Sequence, residues 1–184
     1  MRYWPLAGSA APEPTGESHG LVTLRPMTPS EFETFLEASI AEYASEKVRA
    51  GNWSTEEAPA RSRAAHTDLL PHGLASARQH LYTIEVDGAA AGHLWLCSDP
   101  ATAGGAGFIY DLYVDEPFRH RGIATAAMQQ AELEAGAMGL THLALHVFGH
   151  NTPARALYQK LGYEVTNINM VKTLSPSPSA RDQV

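Results

Sequence analysis

The sequence predicts a mixed α/β layer fold. Apolar segments switch between strand and helix periodicity along the chain, and some strands are separated by helices while others follow one another directly. Hydrophobic residues make up 44% against 18% charged, enough for a buried core under helices that flank a sheet. The order reads β α α β β β α β α β β, which suits neither a sandwich nor a helical bundle.

Leu21 to Arg25 opens as a short strand. Thr28-Pro29-Ser30-Glu31 is a helix start: Thr28 caps, Pro29 takes the first helical position and Glu31 completes a capping box. Phe32, Phe35, Leu36, Ile40 and Tyr43 follow at helical spacing, and Gly51 ends the helix. Ser54-Thr55-Glu56-Glu57 starts a second helix, to about His66, although Pro59 falls soon after. Pro71-His72-Gly73 is a break. Leu81 to Val86 and Ala90 to Cys97 flank the turn pair Asp87-Gly88 and read as a hairpin. A polar, Gly-rich loop spans 98–107, and Phe108 to Val114 is strongly β-like. Ile123 to Met138 has helical spacing and stops at Gly139. Thr141 to Phe148 alternates as a strand, and Pro153 to Leu161 is a helix stopped by Gly162. Tyr163 to Thr166 and Met170 to Leu174 read as two final strands. Residues 1–20 and 175–184 are rich in small residues and proline and are expected to be disordered, leaving one domain over 21–174.

Acidic residues outnumber basic ones, giving a net charge of −7. A nucleic-acid or polybasic membrane-surface partner needs a positive field and is not expected. No apolar run approaches the roughly 18 residues of a membrane helix. The first ten residues hold too short an apolar stretch for a signal-peptide core, so a cytoplasmic protein is expected. A single cysteine, Cys97, excludes an internal disulfide and a cysteine zinc cage.

The chemistry-bearing stretch is FIYDLYVDEPFRHRGIATAA, Phe108 to Ala127. A strand runs into a loop with Arg119-His120-Arg121-Gly122-Ile123-Ala124, and a helix follows at once. Unpaired N–H groups and the helix dipole favour an anion there, small residues at 122 and 124 let it approach, and the arginines add charge. No G-x-x-x-x-G-K-[ST] occurs, and glycines 104, 105 and 107 precede a strand instead of opening a helix.

R-x-x-G-x-A after YDLYV resembles the acetyl-CoA loop of the GNAT N-acetyltransferase superfamily, and LALHVFGHNTPARALYQKLGYEV, 143–165, resembles its second signature. Ala124 stands where glycine is common. The resemblance implies a GNAT-like fold: a central mixed, mostly antiparallel sheet of six to seven strands, splayed between the 108–114 and 141–148 strands. It implies acetyl-CoA as co-substrate, with pantetheine along Leu112, Tyr113 and Val114. The pyrophosphate would lie on Arg119, His120, Arg121, Gly122, Ile123, Ala124 and Thr125. Asn151 corresponds to a contact with the cofactor arm, and Tyr158 to a tyrosine near the CoA sulfur.

In such a reaction an alkylammonium, with a pKa of about 10.4, must lose a proton before it attacks the thioester. A strand N–H, at Leu112, could hold the oxyanion, and the Tyr158 phenol could protonate the leaving thiolate. Asp111, Glu85 and Tyr110 are the candidate bases; many enzymes of the family it resembles use a water chain instead, with no single base. On a regular strand Asp111 faces away from Tyr110 and Leu112, and the sequence leaves open which set meets the cleft. Tyr43, Trp53, Tyr110 and His146 are candidate acceptor contacts. His142 and His146 share a strand face about 13 Å apart, at about 3.3 Å per residue, too far for one ion, so no metal is expected.

The leading reading is an acetyl-CoA-dependent N-acetyltransferase acting on a small-molecule amine by direct transfer in a ternary complex. The alternatives are a protein N-terminal or lysine acetyltransferase and a non-catalytic acyl-CoA-binding module. By analogy alone, the C-terminal strands could carry a homodimer.

Overall fold

The computed structural model describes residues 20–99 and 105–172. The ends expected to be disordered lie outside them apart from Gly20, as does much of the 98–107 loop.

One five-stranded sheet runs in chain order: β1 (Val22–Pro26), β2 (Gln79–Val86), β3 (Ala89–Asp99), β4 (Ala106–Val114) and β5 (His142–Leu145). Neighbours from β1 to β4 are antiparallel, and β4 pairs with β5 in parallel. Among the described residues four α-helices accompany it: α1 (Pro29–Arg49), α2 (Ala58–Leu69), α3 (Ile123–Ala137) and α4 (Thr152–Lys160). A first compact unit ends at Gly149, and a second begins at His150 and contains α4. Among the described residues no helix is long and apolar enough to cross a membrane.

Local chemistry explains the element boundaries. Thr28 Oγ1 accepts from the Glu31 N–H at 3.3 Å while the Glu31 carboxylate accepts from the Thr28 N–H at 2.7 Å, the expected capping box. Arg25 donates to Glu31 and to Glu85, each at 2.8 Å, which ties β1 to β2 and to the start of α1. Pro59 does not interrupt α2; it occupies the first turn, where no N–H is needed, so the helix begins at Ala58 and extends to Leu69. Asp87 and Gly88 both take positive φ, 52° and 82°, as the two-residue turn between β2 and β3 requires.

Strand alternation divides the core between the two sheet faces. Leu81 and Trp95, paired across β2 and β3, join Met27, Phe35 and Leu70 from the side of α1 and α2. α3 packs on β1, β3 and β4. Its Ile123 and Met128 are fully buried, as are Ile84, Leu94 and Leu96 on the strands.

Two strand expectations change. Residues 163–172 form no strand, so the sheet has five strands; Thr173 and Leu174 lie outside the described residues. Val165, Ile168, Met170 and Val171 are all exposed, and strand-like side chains specify a strand only where a neighbouring strand and a buried face exist. The 141–148 strand is shortened to His142–Leu145, for a reason that lies in β4.

Candidate active site

β4 carries a bulge. Trp95 of β3 pairs with Asp111 and Leu96 pairs with Ile109, which leaves Tyr110 as an extra residue. A bulge bends and twists its strand and breaks the alternation of faces. Phe108, Tyr110 and Asp111 consequently line the same cavity. The alternative left open by strict alternation disappears: Tyr110 and Asp111 meet the cavity together. The parallel ladder between β4 and β5 ends at Ile109 opposite Leu145, just where the bulge begins. β4 continues to Val114 while the other chain departs as the irregular segment His146 to Phe148.

The cavity, about 320 Å³, opens at this divergence. Trp95, Tyr110 and Phe108 form an aromatic wall, with the Tyr110 ring centroid 4.8 Å from each of the other two. Ser39, Glu42, Tyr43, Glu46 and Lys47 of α1 face it, with His66 of α2 and His146 and Phe148 beyond β5. The Lys47 ammonium sits over Tyr43, Trp53 and Phe148, 5.1, 5.5 and 5.8 Å from their centroids.

Asp111 belongs to a cluster of polar groups at the cavity. Its Oδ2 accepts from Ser39 Oγ at 3.1 Å and lies 3.4 Å from His93 Nε2. Ser39 Oγ is in turn 3.0 Å from His66 Nε2, and His66 Nδ1 is 2.9 Å from the Ser62 carbonyl. At the rim, partial burial and then the Asp111 carboxylate raise the Glu42 carboxyl above its ordinary range. Burial pushes the Tyr110 phenol up, and burial and then Lys47 push the His146 imidazole down.

After β4 the chain turns through Glu116–Phe118 into Arg119 to Gly122. His120 and Gly122 take left-handed φ, 58° and 74°. Ala126 is the first residue of α3 to donate back, to the Gly122 carbonyl, so the N–H groups of Ile123, Ala124 and Thr125 precede the helical ladder. Arg119 Nε donates to the Val114 carbonyl at 2.8 Å, and its guanidinium lies 5.1 Å from the Tyr113 centroid.

The sequence profile of the acetyltransferase (GNAT) family matches residues 40–163. The chain belongs to this family. YycN of Bacillus subtilis (strain 168), an uncharacterized N-acetyltransferase, is 38% identical over 83% of this chain and 99% of its own length. The crystal structure of YycN superposes with a TM-score of 0.81, covering 85% of this chain and all of the other. YdgE, a second uncharacterized N-acetyltransferase of the same organism, is 40% identical over 83% of this chain and 98% of its own. A GCN5-related N-acetyltransferase from Ralstonia eutropha JMP134, 26% identical, gives a TM-score of 0.59 over 83% of this chain and 98% of the other. The protein is thus an acetyltransferase with a mixed, open sheet, and the family implies acetyl-CoA as the acetyl donor.

The loop suits that donor. Three leading N–H groups of the GNAT protein's α3, left-handed turns at 120 and 122 and the flanking Arg119 and Arg121 present donors and positive charge of the kind a pyrophosphate takes. Leu112, Tyr113 and Val114 belong to the part of β4 beyond the end of its ladder with β5. In the second unit, Asn151 caps α4 by accepting from the Ala154 N–H at 3.2 Å, and Tyr158 lies in α4 with its ring 5.8 Å from that of Tyr163.

Other candidates are placed differently. Glu85 of β2 is paired with Arg25 and does not line the cavity. Trp53 stands behind Tyr43, edge-on at 5.4 Å, instead of in the cavity wall. Among the described residues no group of three or more metal-ligating side chains converges. His142 is exposed, with Nδ1 2.8 Å from Thr141 Oγ1. Sequence reasoning missed Ser39, Glu42, His66 and His93. Ser39 carried a signal: it is a polar residue inside the apolar stripe of Phe35, Leu36 and Tyr43. Ser62 and His66 carried another, since they follow Ala58 at four-residue steps on the buried face of α2.

Proposed function

We propose that this acetyltransferase transfers acetyl directly from acetyl-CoA to the primary amine of a small, cationic acceptor. The observation that supports this most is the cavity beside the free end of β4, which combines an aromatic wall with the carboxylates Asp111 and Glu42. Its size, about 320 Å³, suits a small molecule. An ammonium is drawn to both the ring faces and the carboxylates.

Acetyl-CoA supplies the thioester acyl group and the thiol that leaves. Asp111 takes the ammonium proton, since only about one alkylamine in a thousand is neutral at pH 7. The Leu112 N–H serves the developing oxyanion. Direct attack by the amine requires both substrates together and no acylated side chain.

The test is release of CoA thiol from acetyl-CoA across a panel of small amines and short peptides, for wild type and Asp111→Asn. Turnover of small amines, with kcat/KM about 10²- to 10⁴-fold lower in Asp111→Asn, supports the reading. Turnover of peptides alone would assign a peptide acceptor. Initial-rate lines that stay parallel as the second substrate is varied would overturn direct transfer.

A further inference from the structure

We infer that Ser39 and His66 form a proton-accepting relay behind Asp111, built to take up one proton per turnover. The inference rests on Asp111 being the base proposed above. It follows from counting hydrogens along the chain Asp111–Ser39–His66–Ser62, whose successive contacts are 3.1, 3.0 and 2.9 Å.

The far end is fixed. The Ser62 carbonyl can only accept, so His66 Nδ1 carries a hydrogen. Ser62 is itself held, its hydroxyl donating to the Ile40 carbonyl at 2.7 Å. A neutral His66 then presents a bare Nε2 to Ser39 Oγ. At the near end, an ionised Asp111 presents only acceptors. Ser39 stands between two acceptors with a single hydroxyl hydrogen. With Asp111 ionised and His66 neutral, one of the two contacts of Ser39 is lone pair against lone pair. Ser39 and His66 are each only 6% exposed, so water has little access to mend that contact. One added proton mends it completely: an imidazolium donates to Ser39, which donates to Asp111, or a neutral Asp111 donates to Ser39, which donates to His66.

The acceptor amine is the source of that proton. The N–H bond of the ammonium breaks, and its hydrogen joins the Asp111 carboxylate. As Asp111 passes a hydrogen to Ser39 Oγ, the original Ser39 hydrogen moves to His66 Nε2. The amine becomes neutral and nucleophilic, and the chain goes from a charge of −1 to zero. After product leaves, the proton returns along the same path to the Asp111 carboxylate, whose side chain is 23% exposed, and from it to water in the cavity.

The charged and titratable groups around the relay are Glu42, Tyr43, Glu46 and Lys47 from α1, His93 from β3, Tyr110 from β4 and His146 beyond β5. Ser39 and His66 act through Asp111 and are positioning residues. The experiment is the pH profile of kcat/KM for wild type, Ser39→Ala, Ser39→Thr, His66→Gln and Asp111→Asn, with thermal midpoints as a check on folding. Ser39→Ala should lower kcat/KM about tenfold or more and move its acid limb to lower pH, because an isolated carboxylate is the weaker base. Ser39→Thr should keep the wild-type limb, and His66→Gln should follow Ser39→Ala. If Ser39 merely donates to the carboxylate, its loss moves the limb to higher pH; if it merely packs, the limb stays. Either result overturns the relay. A wild-type rate in Asp111→Asn would instead overturn the base assignment and the relay with it.

Discussion

Tyr110 and Asp111 are neighbours in β4, yet both side chains line one cavity, because Tyr110 has no partner in β3. The same extra residue stands where the β4–β5 ladder stops. One insertion therefore does two things: it opens the sheet edge, and it adds an aromatic wall beside the carboxylate.

Deleting Tyr110 should remove both effects. Ile109 and Asp111 would then alternate regularly against Leu96 and Trp95, so Asp111 would keep its face while the β4–β5 pairing extended past Ile109. The expected result is a folded protein whose acetyl transfer falls about a hundredfold or more. Slowed amide exchange at 111–114, measured beside activity, would show the extended ladder. Wild-type activity in the deletion variant would refute the argument.

Features fixed by short-range chemistry could be read from the chain. The Thr28–Glu31 box, the Asp87-Gly88 turn and R-x-x-G-x-A each need only a few consecutive residues. The bulge could not be read, because Tyr110 is extra only relative to Trp95 and Leu96 on another strand. The Ser39–His66 contact joins residues 27 apart on two helices, and only their polar character at core spacing hinted at it. The 163–172 segment misled for a related reason: its apolar content is real, but the neighbour that would make it a strand is not coded locally.

Gly92 should tolerate no side chain. Its φ is 152°, and a Cβ would stand 2.1 Å from the Tyr113 carbonyl oxygen and 2.9 Å from Val114 Cα. Both obstacles are backbone, so relief requires moving β4 at the point where it leads toward the 119–125 loop. Gly92→Ala should destabilise the fold by about 1–3 kcal/mol and raise the KM for acetyl-CoA. A chemical-denaturation midpoint equal to wild type would contradict the close approach.

Glu31 should make the protein sensitive to acid. Its hydrogen bond from Arg25, and next that from the Thr28 N–H, lower its carboxyl from 4.5 to about 2. A depressed carboxylate stabilises the fold above the unfolded value, and that stabilisation fades as pH falls from about 4.5 toward about 2. Glu31→Gln should cost about 1 kcal/mol at pH 7, as for a lost cap on a partly exposed site. The gap between variant and wild type in urea midpoint should narrow through that pH window. A gap unchanged at pH 2 would mean that the ionised carboxylate is not what stabilises the start of α1.

Glu42 should govern capture of the acceptor more than its chemistry. It faces the cavity from α1, and partial burial and then the Asp111 charge raise its carboxyl, the second a repulsion that a bound ammonium relieves. Glu42→Gln should raise the KM for a cationic acceptor about tenfold, equivalent to ~1.4 kcal/mol, with kcat little changed, the pattern of binding lost equally from ground and transition states. The upward shift also fixes the direction with pH. Glu42 takes up its proton at a higher pH than an ordinary glutamate, so the wild-type acceptor KM should climb on acidification while pH is still above 4.5. In Glu42→Gln that climb should flatten above pH 4.5, because the carboxylate that protonates early is gone. A variant whose KM for the cation matches wild type at neutral pH would remove Glu42 from the acceptor site and leave Asp111 and the aromatic wall to hold the amine.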